Sequence, residues 1–390
     1  MSRIDDLIAE YCPNGVERKP LGAIAKLYRG NGLQKKDFTD KGIGCIHYGQ
    51  IYTRYDTFTS QTISFVDKKL ADKLLKVHPN DLIVTATSEN LEDVCKAVAW
   101  LGGSDIVTGG HSIVVRHHQN AKYLSYYFQT LDFFQRKRAY VHGTKVMEIK
   151  KDDLAKIVVP VPPLPVQEEI VRILDSFSSL EAELGAELGA RRKQYAYYRD
   201  QLIRDCPSIR WIPLSEISEN CDKSRKPIKK EKRIAGKTPY YGASGVVDYV
   251  DGFTHEGDYL LLSEDGANLL ARSMPIAYQI SGRNWINNHA HVLRIENANL
   301  RQLVEMYLNS ISLEPYITKG AQPKLTKQRM ETIVVPVPSE DDLSRIVEML
   351  TKFYVLTTSL TNGLPAEIEA RRKQYEYYRD RLLSFDELAV

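Results

Sequence analysis

Cysteine is scarce in this chain of 390 residues: the five present, Cys12, Cys45, Cys95, Cys206 and Cys221, are odd in number, widely spaced and form no C-x-x-C pair. That pattern argues against a disulfide framework and a cysteine-rich zinc cluster, and for reduced structural thiols. No uninterrupted apolar run approaches the roughly 18 residues of a membrane span. The start, MSRIDDLIAEY, lacks the basic-then-apolar layout of a secretory signal. A cytoplasmic chain with no membrane partner is expected. Charge is nearly balanced, at +3, so no strong overall field identifies a ligand. Catalytic motifs are missing too. There is no Asn/Asp-Pro-Pro-aromatic site and no glycine-rich cofactor loop, the Pro-Pro pair Pro162-Pro163 stands between Val161 and Leu164, and no Walker A segment occurs.

What is present is a chain written twice. The segment from Ala190 to Asp200, Ala-Arg-Arg-Lys-Gln-Tyr-Ala-Tyr-Tyr-Arg-Asp, recurs from Ala370 to Asp380 with a single difference, Ala196 against Glu376. Upstream of each copy stands the same run, Ile157-Val-Val-Pro-Val-Pro162 against Ile333-Val-Val-Pro-Val-Pro338. Weaker echoes follow in the same order. Pro20-Leu21-x-x-Ile24 answers Pro213-Leu214-x-x-Ile217, Tyr48-Gly49 answers Tyr241-Gly242, and Ser88-Glu89-Asn90 answers Ser263-Glu264-Asp265. His111 and Arg116 answer His289 and Arg294, and Tyr127 answers Tyr307. Two copies are too few for a solenoid, and the length exceeds what one core serves, so each half is expected to be one domain plus one helix.

Within each half, short apolar runs such as Asp81-Leu-Ile-Val-Thr85, Ser112-Ile-Val-Val115, Tyr259-Leu-Leu-Leu262 and His291-Val-Leu-Arg-Ile295 alternate with Gly, Asn and Pro. They read as strands, with helices near 122–137 and 299–309, giving an α/β (α+β) domain. After each proline-marked corner the apolar period changes to about 3.5. Ile170, Ile173, Phe177, Leu180 and Leu184 follow heptad spacing; Leu188, Tyr195, Tyr198 and Leu202 resume it after a four-residue stutter. The second stripe runs through Leu343, Ile346, Leu350, Phe353, Leu360, Leu364, Ile368, Tyr375, Tyr378 and Leu382, interrupted by Gly363 and Pro365. A helix over 166–203 would span about 55 Å. Such stripes hold more apolar positions than a small domain can cover, so the two helices are expected to pair with each other as an antiparallel coiled coil with pseudo-two-fold symmetry. The expected boundaries are an N-terminal arm 1–20, a first domain 21–160, a central helix 161–207, a second domain 208–336 and a C-terminal helix 337–390.

Candidate chemistry is thin. Asp132 with Glu148-x-Lys150 fits the loose D…E-x-K spacing of a Mg²⁺ nuclease, yet such triplets are common in a chain that is 26% charged. His117-His118 and His289-x-His291 have no further ligands at metal spacing, and no metal is expected. Binding equipment remains: cations suit phosphates, and donor-acceptor side chains suit base edges. The base-reading candidates are Gln50, Ser88, Asn90 and His111 in the first half, and Asn268, Asn287, Asn288, His289 and Gln322 in the second. The phosphate candidates are Lys35, Lys36, Arg136, Lys137, Arg138, Lys145, Arg225, Lys226, Lys229, Lys230, Lys319 and Lys324. Seven cations fall within the eleven residues from Lys223 to Arg233.

On these residues, the Pro-Leu-x-x-Ile starts, the Tyr-Gly stations, Trp285-Ile-Asn-Asn-His289-Ala-His291, the Val-Pro-Val-Pro corners and the doubled Arg-Arg-Lys-Gln-Tyr helices, the chain resembles type I restriction-modification specificity subunits over essentially its whole length. The resemblance implies two target-recognition domains, each reading one half of a split, asymmetric site in double-stranded DNA, with paired helices setting the gap. It implies a chain with no catalytic residues and no cofactor of its own. Two modification subunits would supply S-adenosylmethionine-dependent adenine methylation, and restriction subunits the ATP- and Mg-dependent translocase and nuclease. The tandem Ala182-Glu-Leu-Gly185 and Ala186-Glu-Leu-Gly189 looks like the four-residue repeats in the central helix of some members. Gly185, Gly189 and Pro365 depart from a good helix and put its exact length in question. Two other readings compete: a self-sufficient nuclease using Asp132, Glu148 and Lys150, and a coiled-coil scaffold without a DNA role.

Overall fold

A computed structural model describes residues 3–318, 322–359 and 362–386. The chain divides into two compact units, and neither coincides with one half of the repeat. The first joins residues 1–185 to 367–390, and the second spans 186–366.

In the first unit a five-stranded sheet has Ser112–His117 between Ala25–Arg29 and Leu82–Thr85 in antiparallel pairing, continuing to Ala97–Trp100 and Phe58–Thr59. A second sheet pairs Ile43–Ile46 in parallel with Ile106–Thr108. Strand residues alternate between two cores. Ile83 and Val114 meet Ile46, Ile106 and Trp100 between the sheets, while Leu82, Val84, Ile113 and Val115 face a helical layer containing Tyr123, Tyr126 and Tyr127. Burial on both faces explains why these strands read as continuous apolar runs rather than alternating ones. The second unit repeats the layering: Leu261 and Val292 face Ile286 and Tyr241, while Leu260, Leu262 and Leu293 face the helix Ala298–Leu308. The proline corners are strands as well, Val158–Pro160 against Arg18–Pro20 and Val334–Val337 against Arg210–Pro213. Edge placement suits them, because proline donates nothing to a ladder.

The helices correct the expectation in part. The central helix is continuous over Leu164–Arg204, through both glycines. Its first turns cover their own domain: Val166, Ile170 and Leu174 are buried with Tyr126, and Asp175 accepts from Tyr126 Oη at 2.7 Å and Lys122 Nζ at 2.6 Å. Beyond that it pairs within the first unit with the last helix, Leu364–Leu382. Phe177 stacks on Tyr378 with ring centroids 5.5 Å apart, and Arg372 reaches Glu181 at 2.7 Å, an antiparallel order. In the second unit its far half meets a different helix, Glu340–Thr358. Tyr195 lies 6.2 Å from Tyr354 and Tyr198 5.7 Å from Phe353, while Ile203 joins Leu343, Ile346 and Leu350. Antiparallel pairing therefore holds in each unit, but the second stripe is two helices, Glu340–Thr358 and Leu364–Leu382, one serving each unit. Leu360 lies outside the described residues. The N-terminal arm is a helix, Arg3–Tyr11, docked on the first unit through Ile4 and the Arg3–Glu169 ion pair.

A Cβ added at Gly185 or Gly189 would meet nothing within 4 Å. Replacing either by alanine is expected to stabilise the protein by about 1 kcal/mol, since helix glycine wastes backbone entropy. Thermal unfolding of the single and double variants measures this, and a lowered midpoint would contradict the solvated helix face.

Candidate nucleic-acid interface

In each unit the parallel strand pair ends at the Tyr-Gly station on one strand and leads to a histidine on the other. Ile46 pairs with Thr108 just before Tyr48 and His111; Tyr241 pairs with Ile286 just before His289. The histidine carbonyl then accepts from the partner strand's extension, His111 O from Ala86 N–H at 2.8 Å and His289 O from Glu264 N–H at 2.9 Å. One step further the same residue's carbonyl receives the loop before the corner, Ala86 O from Ile149 N–H at 2.9 Å and Glu264 O from Leu325 N–H at 2.7 Å. These bonds define a register that differs from the sequence match: Thr85-Ala86-Thr87, not Ser88-Glu89-Asn90, occupies the place of Ser263-Glu264-Asp265.

Equivalent frames carry unequal chemistry. His111 Nδ1 lies 2.9 Å from Thr87 Oγ1, and its ring is 4.8 Å from Tyr48. With Tyr52, Ser88, Asn90 and Val146 these residues line a cleft of about 460 Å³. His289 Nδ1 instead meets Asp265 Oδ2 at 2.9 Å. Beneath His289 lies an ionic cluster. His291, 1% exposed, has Nδ1 2.7 Å from Asp222 Oδ2 and Nε2 2.8 Å from Leu325 O. Arg225 Nη1 reaches Glu264 at 2.5 Å, and Lys324 Nζ lies 3.1 Å from the same carboxylate. The carboxylates and His291 form a close group of possible metal ligands, but the Arg225 guanidinium already supplies the counter-charge there. In the first unit the corresponding places are apolar, Ala86 and Ile113.

Burial alone would raise the Asp222 carboxyl, but the hydrogen bond and charge of His291 outweigh it and hold the group below its ordinary value. Burial likewise opposes ionisation of Glu264, and hydrogen bonds from Arg225 and Lys324 with the His291 charge reverse the balance.

Several expected contacts are spent on the fold. Gln50 is buried, its Oε1 capping His47 N–H and its Nε2 donating to Ser64 at 2.7 Å. Asn287 is buried and accepts from His289 N–H. Lys137 is 3% exposed, with Nζ on the carbonyls of Glu92 and Val94. Arg225 belongs to the cluster just described, and Arg136 is held by Asp132 at 2.9 Å. Asn90 and Asn268 close their own loops, through Asp93 and Met274. Exposed candidates are Lys35, Lys36, Arg138, Lys145, Lys226, Lys229, Lys230, Asn288 and Gln322, with Ser88 half-buried at the cleft. Lys319 lies outside the described residues. The basic stretch is a strap fixed from below: Trp285 Nε1 donates to Lys226 O at 2.7 Å, and Arg233 lies over Tyr240 and pairs with Asp248. The nuclease triplet is not assembled. Asp132 is taken by Arg18, Arg136 and Tyr127, and Glu148 by Arg29. Sequence reasoning missed Asp222 as the partner of His291 and Arg225 as the counter-charge of Asp222 and Glu264; the spacing of three between Asp222 and Arg225 was a weak signal.

Twofold repetition of one α/β frame, each copy presenting a histidine and neighbouring loops, defines a tandem-domain protein with matched polar stations. Residues 13–190 and 211–370 match the family model described as the type I restriction modification DNA specificity domain, and the chain belongs to that family. It is 36% identical over 184 residues to a putative type I restriction enzyme specificity subunit of Haemophilus influenzae, covering 46% of this chain and 47% of that relative. To the EcoR124I/EcoR124II specificity subunit of Escherichia coli it is 34% identical over 255 residues, 59% of this chain and 63% of that one. These matches thus span about half to under two thirds of the relatives' lengths. The fold is similar to the type I restriction-modification S subunit of M. genitalium, with a TM-score of 0.55 at 17% identity, covering 94% of this chain and 96% of that one. No helix among the described residues is long and apolar enough to cross a membrane.

Because both folded-state carboxyl values are depressed, their stabilisation is complete above the unfolded values of 3.8 and 4.5 and is lost as pH falls below them. Asp222→Ala is expected to cost about 3 kcal/mol at neutral pH, since it leaves buried His291 without its Nδ1 partner and removes one of the two carboxylates facing Arg225, and to flatten that acid dependence. Denaturation followed by tryptophan fluorescence over pH 3 to 7 reads both effects; an unchanged acid slope would remove the cluster from the stability of the second unit.

Proposed function

We propose that this chain is the non-catalytic DNA-specificity subunit of a type I restriction-modification complex, each unit reading one half of a bipartite, asymmetric site in double-stranded DNA. The observation that carries this reading is the repeated station with altered content. One frame holds a histidine beside Thr87 and tyrosines in the first unit, and beside Asp265 over a charged cluster in the second. Two readers with a common docking geometry and different polar groups suit a site whose halves differ. Exposed lysines of the strap and loops supply phosphate contacts.

The helices support recruitment. Ala190 to Asp200 and Ala370 to Asp380 are almost identical although the domains have diverged, and the identity extends to Tyr197 and Tyr377, which are 61% and 59% exposed. Internal packing does not demand a tyrosine in solvent; one partner bound twice does. That partner is the modification subunit, which brings S-adenosylmethionine, and restriction subunits bring ATP- and Mg-dependent steps, in the cytoplasm. The central helix then acts as the ruler between half-sites.

Mapping adenine methylation in cells carrying the chain with its modification subunits tests the reading. A split motif is expected; DNA cleavage by the purified chain alone with Mg²⁺ would favour a nuclease, and sequence-independent affinity even with the methylase present a scaffold. One further Ala-Glu-Leu-Gly unit inserted after Gly189 lengthens the helix by about 6 Å and is expected to widen the unread gap by one or two base pairs with unchanged half-sites. An unchanged gap would defeat the ruler. Changing Lys226, Lys229 and Lys230 to alanine is expected to lower the slope of log affinity against log salt by about 0.9 for each phosphate no longer neutralised, across all sequences alike.

A further inference from the structure

Non-glycine residues with left-handed backbone occur at three described positions, and two of them, Cys95 at φ 67° and Arg272 at φ 52°, lie in the loops that leave the matched central strands. Such strain persists only where the surroundings hold it, and it gathers at functional segments. Both loops carry two further restraints. The first closes on Asn90, which accepts from Asp93 N–H at 2.8 Å and donates to Asp93 Oδ2 at 2.9 Å. The second closes on Asn268, which accepts from Met274 N–H and donates to Met274 O, both at 3.0 Å.

Each loop is also tied to the helical layer by a cation on backbone carbonyls. Lys137, at the end of the helix Leu131–Lys137, donates to Glu92 O at 3.0 Å and Val94 O at 2.6 Å. It is buried there without a carboxylate at hydrogen-bond distance. Arg272, on the second loop, donates to Ile311 O and to Leu308 O at 3.5 Å, at the end of the helix Ala298–Leu308. The polarity is reversed: the helix supplies the cation in one unit and the carbonyls in the other. One joint is thus built twice from unrelated residues. The first loop borders the cleft of Tyr48 and His111, and the second begins at Asp265, the partner of His289. A loop frozen before binding avoids the ordering cost and rejects ligands that need it to move.

We propose that Lys137 and Arg272 are positioning residues for base discrimination, each holding the reading loop of its own unit, residues 88–94 and 265–274, against the helical layer. The proposal rests on the DNA-reading function above. The test is the full chain with its modification subunits acting on a plasmid library randomised across the motif of the wild-type complex, with methylated sites sequenced. Lys137→Met is expected to raise methylation of mismatched sites about tenfold or more in one half of the motif and leave the other half unchanged. Arg272→Met is expected to do the converse, and Arg272→Lys, which keeps a donor, to retain most discrimination. Asn90→Ala and Asn268→Ala open the same loops without removing a cation from the fold, and serve where a methionine variant fails to fold. Broadening confined to opposite halves supports the assignment. Unaltered motifs in all folded variants, or equal loss in both halves, overturns it while leaving the DNA reading intact. A wild-type complex that methylates no split motif overturns both.

Discussion

An apolar stripe longer than one small domain can bury is the constraint on which this structure depends. The central helix carries that stripe over 41 residues and satisfies it piecewise. Its first turns lie on the first domain's tyrosine-rich layer, its next turns on the last helix of the chain, and its far half on the helix Glu340–Thr358 and the second domain. A consequence follows for each unit's core. The first is closed only when Tyr375, Tyr378 and Leu383 arrive from the far end of the chain, so its completion is a contact of very long sequence separation. Nothing in local propensity could substitute for it, since the last helix has no residue buried within its own span.

Around this framework the two domains solve one packing problem with different chemistry. Where the first unit fills the space beneath its histidine station with Ala86 and Ile113, the second places Glu264 and His291 and balances them with Asp222 and Arg225. An apolar filling is indifferent to acidity; an ionic one is held by desolvated charges and must stay fully paired. The frame tolerates both because the same backbone hydrogen bonds align the histidine station in each copy. Such a frame lets the exposed groups above it differ freely between copies, which is what the proposed reading of unequal half-sites requires.

The strands and the duplication were legible because they rest on period and repetition. The runs at Leu82–Thr85, Ser112–His117, Tyr259–Ser263 and Ala290–Arg294 are strands as their short apolar runs between Gly, Asn and Pro implied, and the second stripe is interrupted between Thr358 and Leu364, next to Gly363 and Pro365. Register was not legible. Ser88-Glu89-Asn90 resembled Ser263-Glu264-Asp265 by composition, but hydrogen bonds to His111 and His289 align Thr85-Ala86-Thr87 instead. The roles of single polar residues were equally hidden. Lys137 looks like a surface cation until Glu92 and Val94, more than forty positions away, present their carbonyls, and Gln50 looks like a base reader until Ser64 takes its amide.

By itself, then, the amino-acid order determined that there are two α/β domains and that long apolar helices accompany them, because these depend on neighbours within a few turns. Only the tertiary structure decided which helix serves which unit, which residues stand at equivalent stations, and which polar side chains remain free to meet a ligand. Those outcomes depend on burial and on partners distant in sequence, and a side chain's availability is settled by whichever acceptor the fold brings to it first.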